Sequence, residues 1–207
     1  FMQSHADKTG GMITVDGRNA YINGSSFSMS SSNYGGAIYI GGAAATSGYN
    51  ATIENSKFDK NNATIDGGAI YIKGDLADVL DCEFSLATAY TGNGGGIYVG
   101  GNNATVGGVV SVMSRAVNGD GGFAYIKGND VLVIDSRVMQ SGAKNGGAVY
   151  VDGKDTVINN LTTVMTTASV NGGAVYIGTG TGESGLRTTI KNSHFSMSNA
   201  TGAGGAV

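Results

Sequence analysis

The chain has 207 residues, of which 41% are hydrophobic, and a net charge of −3 from 12 basic and 15 acidic residues. Its basic residues are not clustered, which argues against a nucleic-acid partner, and no apolar run approaches the roughly 18 residues of a membrane-spanning helix. Cys82 is the single cysteine, so no intrachain disulfide can form, and we expect it to be a small buried side chain.

A glycine-rich segment, Gly-Gly-Ala-Ile-Tyr-Ile, recurs along the chain. Complete copies begin at Gly35, Gly67, Gly94, Gly121, Gly146 and Gly172, a weaker copy at Gly10 and a truncated one at Gly204. Such a period is typical of stacked units that each bury an apolar face against a neighbour. Since glycine interrupts every stretch and β-branched residues alternate in short runs, we expect two or three strands per unit. The sequence therefore predicts an all-β, right-handed parallel β-helix of about seven coils, with 25–32 residues per coil.

The terminal segments resemble parts of a coil. Phe1-Met2-Gln3-Ser4 is similar to Val138-Met139-Gln140-Ser141, and the residues from Gly204 stop inside a unit. Residues 1–207 are therefore predicted to form a single β-helix domain, open at both ends, as a segment of a longer array or a filament protomer.

Alternate residues of the repeated strand face opposite sides. Ile38, Ile40 and their counterparts are the expected core, whereas Ala37 and its counterparts are expected on the outer face. The tyrosine between the two core positions is then expected to form an outward ladder, with one ring per coil. Its members are Tyr39, Tyr71, Tyr98, Tyr125, Tyr150 and Tyr176. Stacking within the sheet is the simplest role for this ladder, and contact with another protein or with sugar rings is the alternative.

Polar residues mark two bends in each unit. One set precedes the Gly-Gly pairs: Asp66, Asn93, Asp120, Asn145 and Asn171. The other comprises Asn55, Asp81, Asp135 and Asn192. Because Asn and Asp tolerate positive φ, the first set is expected to form the turn into the next strand. The second set is expected to form another bend, where the side chains can hydrogen-bond along the stack.

Six Asn-X-Ser/Thr sequons occur, and several recur at equivalent repeat positions. They begin at Asn23, Asn50, Asn62, Asn103, Asn160 and Asn199. Exposed, recurrent positions of this kind can carry covalent glycans, so the sequence predicts a secreted glycoprotein.

Catalytic signals are weak. Enzymes that cleave acidic polysaccharides need carboxylate pairs or a calcium–carboxylate cluster. The outward column Ser26, Lys57, Glu83, Arg137 and His194 mixes charges, as a solvated face does, and predicts a surface ion pair between Lys57 and Glu83. Asp75, Asp78 and Asp81 form a candidate calcium loop, while His5 and His194 lie too far apart for one site. We expect no catalytic, metal or cofactor site.

Two further columns leave alternatives open. Leu80, Ile134 and Ile158 share a position and form either an apolar surface patch or part of the core. Thr52, Thr105, Thr156 and Thr189 share another, which would suit ice binding except that Tyr21, Asp78 and Leu132 interrupt it.

The repeats resemble those of the polymorphic outer-membrane proteins of chlamydiae, which pair a GGAI motif with an FxxN motif. Residues 35–38 and 67–70 match the first motif, and Phe58-Asp59-Lys60-Asn61 matches the second. The resemblance implies an extracellular right-handed parallel β-helix with an adhesive or structural role at the cell surface. It specifies the fold more than the function.

We therefore expect a non-enzymatic extracellular or cell-surface glycoprotein of structural or adhesive function. Its expected partners are other copies of itself, stacked end to end into a rod or fibril, covalent glycans and, less directly, carbohydrate. A carbohydrate-active β-helix enzyme, either a polysaccharide lyase or a hydrolase, and an ice-binding protein are the alternatives.

Overall fold

The computed structural model describes residues 1–178 and 182–207, whose backbone forms 28 short strands in four parallel seven-stranded sheets. The first sheet contains β1 (Ile13–Val15), β5 (Ile38–Ile40), β9 (Ile70–Ile72), β13 (Ile97–Val99), β17 (Ala124–Ile126), β21 (Val149–Val151) and β25 (Val175–Ile177). The second contains β2 (Tyr21–Asn23), β6 (Thr52–Glu54), β10 (Asp78–Leu80), β14 (Thr105–Gly107), β18 (Leu132–Ile134), β22 (Val157–Asn159) and β26 (Thr189–Lys191).

The remaining strands make the other two walls. The third sheet contains β3 (Ser26–Ser28), β7 (Lys57–Asp59), β11 (Glu83–Ser85), β15 (Val110–Val112), β19 (Arg137–Met139), β23 (Thr162–Val164) and β27 (His194–Ser196). The fourth contains β4 (Ser31–Tyr34), β8 (Asn62–Asp66), β12 (Thr88–Ala89), β16 (Arg115–Ala116), β20 (Gly142–Asn145), β24 (Thr167–Asn171) and β28 (Asn199–Ala200).

Each coil contributes one strand to each sheet, so coil 1 comprises β1–β4 and coil 7 comprises β25–β28. The predicted all-β parallel solenoid of about seven coils is confirmed. The expectation of two or three strands per coil was wrong, because four strands of two to five residues fit into each turn. Strands this short carry too few residues for alternation to separate them.

The core runs along the axis of the solenoid. Ile38, Ile40 and their counterparts are buried, as predicted. Ala37 and its counterparts are also buried in the core, so their predicted outward placement was wrong. The backbone N–H groups of Ala37 and Ile38 both donate to the carbonyl oxygen of Ala69, at 2.9 and 3.0 Å. This bulge-like pairing breaks the alternation at the strand entrance, so two successive side chains point inward.

The bend needs glycine at both positions of a Gly-Gly pair wherever a following coil packs against it. The first glycine has a positive φ, +67° at Gly94, whereas the Asn or Asp before it does not. A Cβ on the second glycine, Gly95, would lie 2.2 Å from the carbonyl oxygen of Gly122 in the next coil. The predicted bend is therefore present, but glycine adopts the left-handed conformation. The predicted second bend is present, and there Asn55, Asp81 and their counterparts do have positive φ.

Residues 1–9 continue the stack, as their similarity to residues 138–141 predicts. Met2 and His5 form parallel bridges to Ser28 and Ser31, and the ring of Phe1 stacks on Phe27 at 5.3 Å. Within the described part of the chain, no helix is long and apolar enough to cross a membrane.

Candidate functional site

Six tyrosine rings stack along the outer face of the first sheet, as predicted. Successive ring centroids lie 4.6 to 5.3 Å apart, with interplanar angles of 4° to 28°. The rings belong to Tyr39, Tyr71, Tyr98, Tyr125, Tyr150 and Tyr176. Each ring face covers the face of its neighbour, so mainly ring edges remain toward solvent. A sugar that stacks on aromatic rings needs a free face, and the ladder offers few.

The ladder is more deeply buried than its outward position suggested. Tyr98 is 7% exposed and Tyr150 is 5% exposed. Burial raises the pKa of Tyr71 to about 12, with a smaller contribution from the charge of Asp66. Burial also raises the pKa of Tyr150 to about 12, and Asp120 adds to the effect. The stacking and burial of the rings support the role of stabilising the sheet.

Asp152 ties the ladder to the loop that precedes β26. The hydroxyl of Tyr125 donates to Asp152 Oδ2 at 3.1 Å, and the hydroxyl of Ser184 donates to Asp152 Oδ1 at 2.6 Å. Burial, followed by the charge and hydrogen bond of Asp152, raises the pKa of Tyr125. Both oxygens of the Asp152 carboxylate therefore accept hydrogen bonds from neighbouring side chains.

A second ladder runs through the polar residues that precede the Gly-Gly pairs. Asp66 Oδ1 accepts the backbone N–H of Asn93 at 2.7 Å, and Asn93 Oδ1 accepts that of Asp120 at 2.9 Å. The series continues through Asn145 and Asn171, with distances of 3.0 and 3.2 Å. These side chains bind the next coil at this bend, although the sequence predicted such hydrogen bonds only for the second bend.

The predicted sequons lie on the surface. Asn23, Asn50, Asn103, Asn160 and Asn199 are exposed, and Asn62 is half-buried. Asn62 and Asn199 occupy the same column of the fourth sheet, which follows from the strand register. Equivalent positions in the repeat are therefore equivalent in space.

Two sequon amides make hydrogen bonds to neighbouring coils. The Nδ2 group of Asn50 donates to Asn19 Oδ1 at 2.8 Å, and that of Asn160 donates to Asp135 Oδ1 at 2.8 Å. An N-glycosidic bond replaces only one of the two hydrogens on Nδ2, so these bonds are compatible with a glycan.

The acidic residues singled out in the sequence do not converge. Asp75 accepts the backbone N–H of Asn102 before β10, whereas Asp81 lies at the bend after that strand. No group of three potential metal ligands is close together in residues 1–178 and 182–207, so the candidate calcium loop Asp75, Asp78 and Asp81 is not formed. The two histidines, His5 and His194, lie at opposite ends of the stack, as predicted.

An exposed ion pair lies on the third sheet. Glu83 pairs with Lys57 at 2.9 Å, which confirms the predicted ion pair.

Two ionisable groups have a pKa raised by burial. Burial raises the pKa of the Asp66 carboxyl, against the opposing effects of the N–H group of Asn93 and the charge of Lys127. Cys82 is 1% exposed, as expected for a small core residue, and burial raises the pKa of its thiol to about 11.

In each of two predicted columns, one member was assigned to the wrong position, one residue away from the true register. Ile158 pairs with Val133 and is buried, so only Leu80 and Ile134 of the proposed apolar patch face outward, on either side of Gly107. The threonine column contains Val157 where Thr156 was expected, and Thr156 is buried. The threonine array is therefore more interrupted than predicted.

Sequence reasoning missed a ridge at the corner between the third and fourth sheets. Its backbone has φ between +50° and +56° in every coil, although its residues are Gln3, Met29, Lys60, Leu86, Met113, Gln140, Met165 and Met197. Five of them are exposed apolar side chains. Methionine and leucine are not turn-forming residues, so nothing in their chemistry signals a bend.

Sequence reasoning also missed a polar groove on the fourth sheet. It crosses coils 4 to 7 and encloses about 300 Å³. Arg115 lies on one bank, Gly142 contributes to the floor, and Thr167, Ser169 and Asn199 line the other bank. We call it the fourth-sheet groove.

The fold and its repeated units define a parallel β-helix repeat protein. Residues 55–73 match the model of the Chlamydia polymorphic membrane protein repeat. The matched segment runs from the second bend of coil 2 through the third and fourth sheets into β9, so it spans most of one unit. This confirms the resemblance of this unit to the polymorphic membrane protein repeats. No curated protein and no solved structure is significantly similar to the chain.

Proposed function

We propose that the chain is a non-enzymatic extracellular protein with a structural and adhesive role at a cell surface. The observation that carries the proposal is the parallel register, which all four sheets keep from coil to coil. Because of it, outward side chains at equivalent positions form fixed arrays along a rod. Arrays of this kind can present repeated contacts to a surface, and the repeat match supports the same role.

A cell-binding assay tests this role. Beads coated with the purified chain should adhere to cultured eukaryotic cells, and the soluble chain should inhibit that adhesion. Beads coated with albumin provide the baseline, and adhesion no higher than this baseline would refute the adhesive role. Release of reducing ends or unsaturated products from acidic polysaccharides would instead favour an enzyme.

Covalent glycans are a second element of the proposal. The exposure of Asn23, Asn50, Asn103, Asn160 and Asn199 supports it, since these side chains are accessible to a transferase. After secretion from eukaryotic cells, mass spectrometry should show glycan mass on peptides that contain several of these residues. Unmodified peptides at all sequons, including Asn62, would refute the proposed N-glycosylation.

End-to-end association is the third element. At the two terminal coils, apolar residues that point toward the core are only partly buried, among them Ile13 and Val15 in coil 1 and Ile190 and Phe195 in coil 7. Coils of the same construction, from the same chain or another copy, would cover them and pair their strand edges. Electron microscopy should show rods longer than one chain, which Ile190→Lys shortens and the exposed change Lys191→Glu does not. Rods of one chain length at all concentrations would contradict self-association.

A further inference from the structure

The fourth-sheet groove results from a difference in length between coils. Gly146 follows Gly142 by four positions in coil 5, whereas Gly121 follows Arg115 by six positions in coil 4 and Gly172 follows Thr167 by five in coil 6. The register against β24 shifts between Ala143 and Asn145, where the shorter coil rejoins the stack. Coil 5 therefore takes a shorter path around the corner than its neighbours, and glycine at position 142 removes the side chain that would fill the gap.

The charge of this face differs from that of the whole chain. Among the described residues of coils 1 to 7, its two outward columns hold the cations Arg115 and Lys144 and no carboxylate, whereas His5 and the exposed Asp7 extend the same columns before coil 1. The first column is Ser31, Asn62, Thr88, Arg115, Gly142, Thr167 and Asn199. The exposed or half-buried residues two positions further along are Asn33, Thr64, Tyr90, Val117, Lys144, Ser169 and Thr201. The part of this face around the groove, in coils 4 to 7, is therefore positive and rich in hydroxyl and amide groups, although the chain has a net charge of −3.

Arg115 differs from the other three arginines. Arg18 lies over the ring of Tyr49, the Nε of Arg137 lies 3.3 Å from the sulfur of Met139, and Arg187 pairs with Asp155. The guanidinium of Arg115 has no hydrogen-bond or ion-pair partner in the described part of the chain. Its planar donors are therefore free to bind a carboxylate or sulfate by two parallel hydrogen bonds.

We propose that the fourth-sheet groove binds an acidic saccharide, with the anionic group on Arg115. Across the groove, the hydroxyls of Thr167, Ser169 and Thr201 provide partners for sugar hydroxyls, and the site belongs to a chain that carries no glycan on Asn199. Lys144, next to the floor, adds long-range attraction for a negative chain. The inference rests on the proposed adhesive role and identifies the chemistry that the rod would adhere to.

Titration with defined probes tests the ligand class and separates its two anionic groups. The probes are a trigalacturonate, which carries carboxylates, a sulfated disaccharide, and neutral maltotriose, each added to bacterially produced protein without N-glycans. At least one acidic probe should bind and shift amide resonances of residues 142–144 and 167–169, whereas maltotriose should not. No binding of either acidic probe, or equal binding of maltotriose, would overturn the proposal.

Matched variants test the position of the site. Arg115→Gln should weaken binding of the acidic probe at least tenfold, because it removes a charge-assisted hydrogen-bond pair. Arg137→Gln makes the same change on the third sheet and should leave affinity unchanged. Gly142→Thr, which restores the residue found in the same column at Thr88 and Thr167, should fill the groove and weaken binding by a similar factor. Equal losses for the two arginine variants would show non-specific attraction and overturn the proposal.

The adhesion assay distinguishes the two levels of inference. If beads coated with the wild type and with Arg115→Gln adhere to cells equally well, the adhesive role stands and the groove is not its site. If neither adheres but the probe still binds the groove, the saccharide site stands and the adhesive role fails.

Discussion

The ring of Phe84 packs edge-to-face against Phe123, with centroids 5.6 Å apart and planes at 65°. Phe84 ends a stack that runs through Phe27 and Phe58 in the third sheet, where the next coil has Ser111. Phe123, from the opposite wall, therefore occupies the volume that a phenylalanine at position 111 would fill. Other coils have a small residue followed by a large one at the positions of Phe123 and Ala124. Both residues are buried, so in this coil the first inward position holds the large side chain and the second holds the small one.

Gly96 and Phe123 are predicted to be energetically coupled. A Cβ on Gly96 would lie 2.8 Å from Cδ2 of Phe123, although other coils carry alanine in this column. Gly96→Ala should destabilise the wild type by about 1–3 kcal/mol through overpacking, and Phe123→Ala by about 3–5 kcal/mol through a cavity. In the Phe123→Ala background, Gly96→Ala should cost little. Urea denaturation of the four proteins gives the coupling energy, and additive effects would contradict the packing described.

The ladder at the Gly-Gly bend predicts the cost of removing one side chain. Asn93→Ala deprives the backbone N–H of Asp120 of its acceptor in a partly buried position. The expected loss in unfolding free energy is about 1–3 kcal/mol. Asn118→Ala is the control, because Asn118 is exposed and donates only to the carbonyl oxygen of Tyr90. It should stay within about 0.5 kcal/mol of the wild type, and similar losses for both variants would argue against the ladder.

The tyrosine ladder predicts a loss of stability in alkaline solution. Burial raises the pKa of Tyr71 and of Tyr150 from 10.0 to about 12, so the folded state keeps protons that the unfolded chain releases. Their contribution is fully present below pH 10 and is lost progressively as the pH rises toward 12. Denaturation at intervals across this range should show the decline, with a shallower slope in Tyr71→Phe. An unchanged slope in this variant would contradict the assignment.

The corner ridge predicts that one surface substitution is stabilising. Met113 has φ of +56° and is 40% exposed, so its side chain contributes strain and little burial. Met113→Gly should raise the unfolding free energy by up to about 1 kcal/mol, because glycine adopts this conformation without a Cβ clash. Met113→Val should lower it, since β-branched residues fit the left-handed region worst. Thermal melting of the two variants gives opposite shifts if the corner is as described, and shifts in the same direction if it is not.

The sequence predicted the period, the core of the first sheet and the tyrosine stacking, because each Gly-Gly pair marks its coil unambiguously. The predicted strand register was wrong where two adjacent residues could each form the bend. Asn159 and Asn160 are both able to form a bend, and the positive φ falls on Asn160, which moves Ile158 and Thr156 into the core. A doublet of turn-forming residues leaves a one-residue choice that only packing decides.

The corner ridge and the fourth-sheet groove could not be predicted in the same way. Met29 and Met113 bend the chain because coils above and below hold the corner, which is a tertiary effect that overrides local preference. The groove depends on coil 5 being shorter than its neighbours, and the spacings between repeats do show this shortening. Its consequence needs the strand register, which places Arg115 and Thr167 on either side of Gly142.

The in-register stacking of coils can be tested by forming a disulfide in a Cys82→Ser background, since serine occupies the same position at Ser56 and Ser136. Lys57 and Glu83 are register partners, and parallel neighbours lie about 4.8 Å apart, within the range that a disulfide spans. Lys57→Cys with Glu83→Cys should therefore oxidise to an intrachain disulfide. Lys57→Cys with Ser85→Cys, displaced by two residues along the strand, should remain reduced. Crosslinking of the displaced pair, or none in the register pair, would contradict the stacked solenoid on which the proposed surface functions depend.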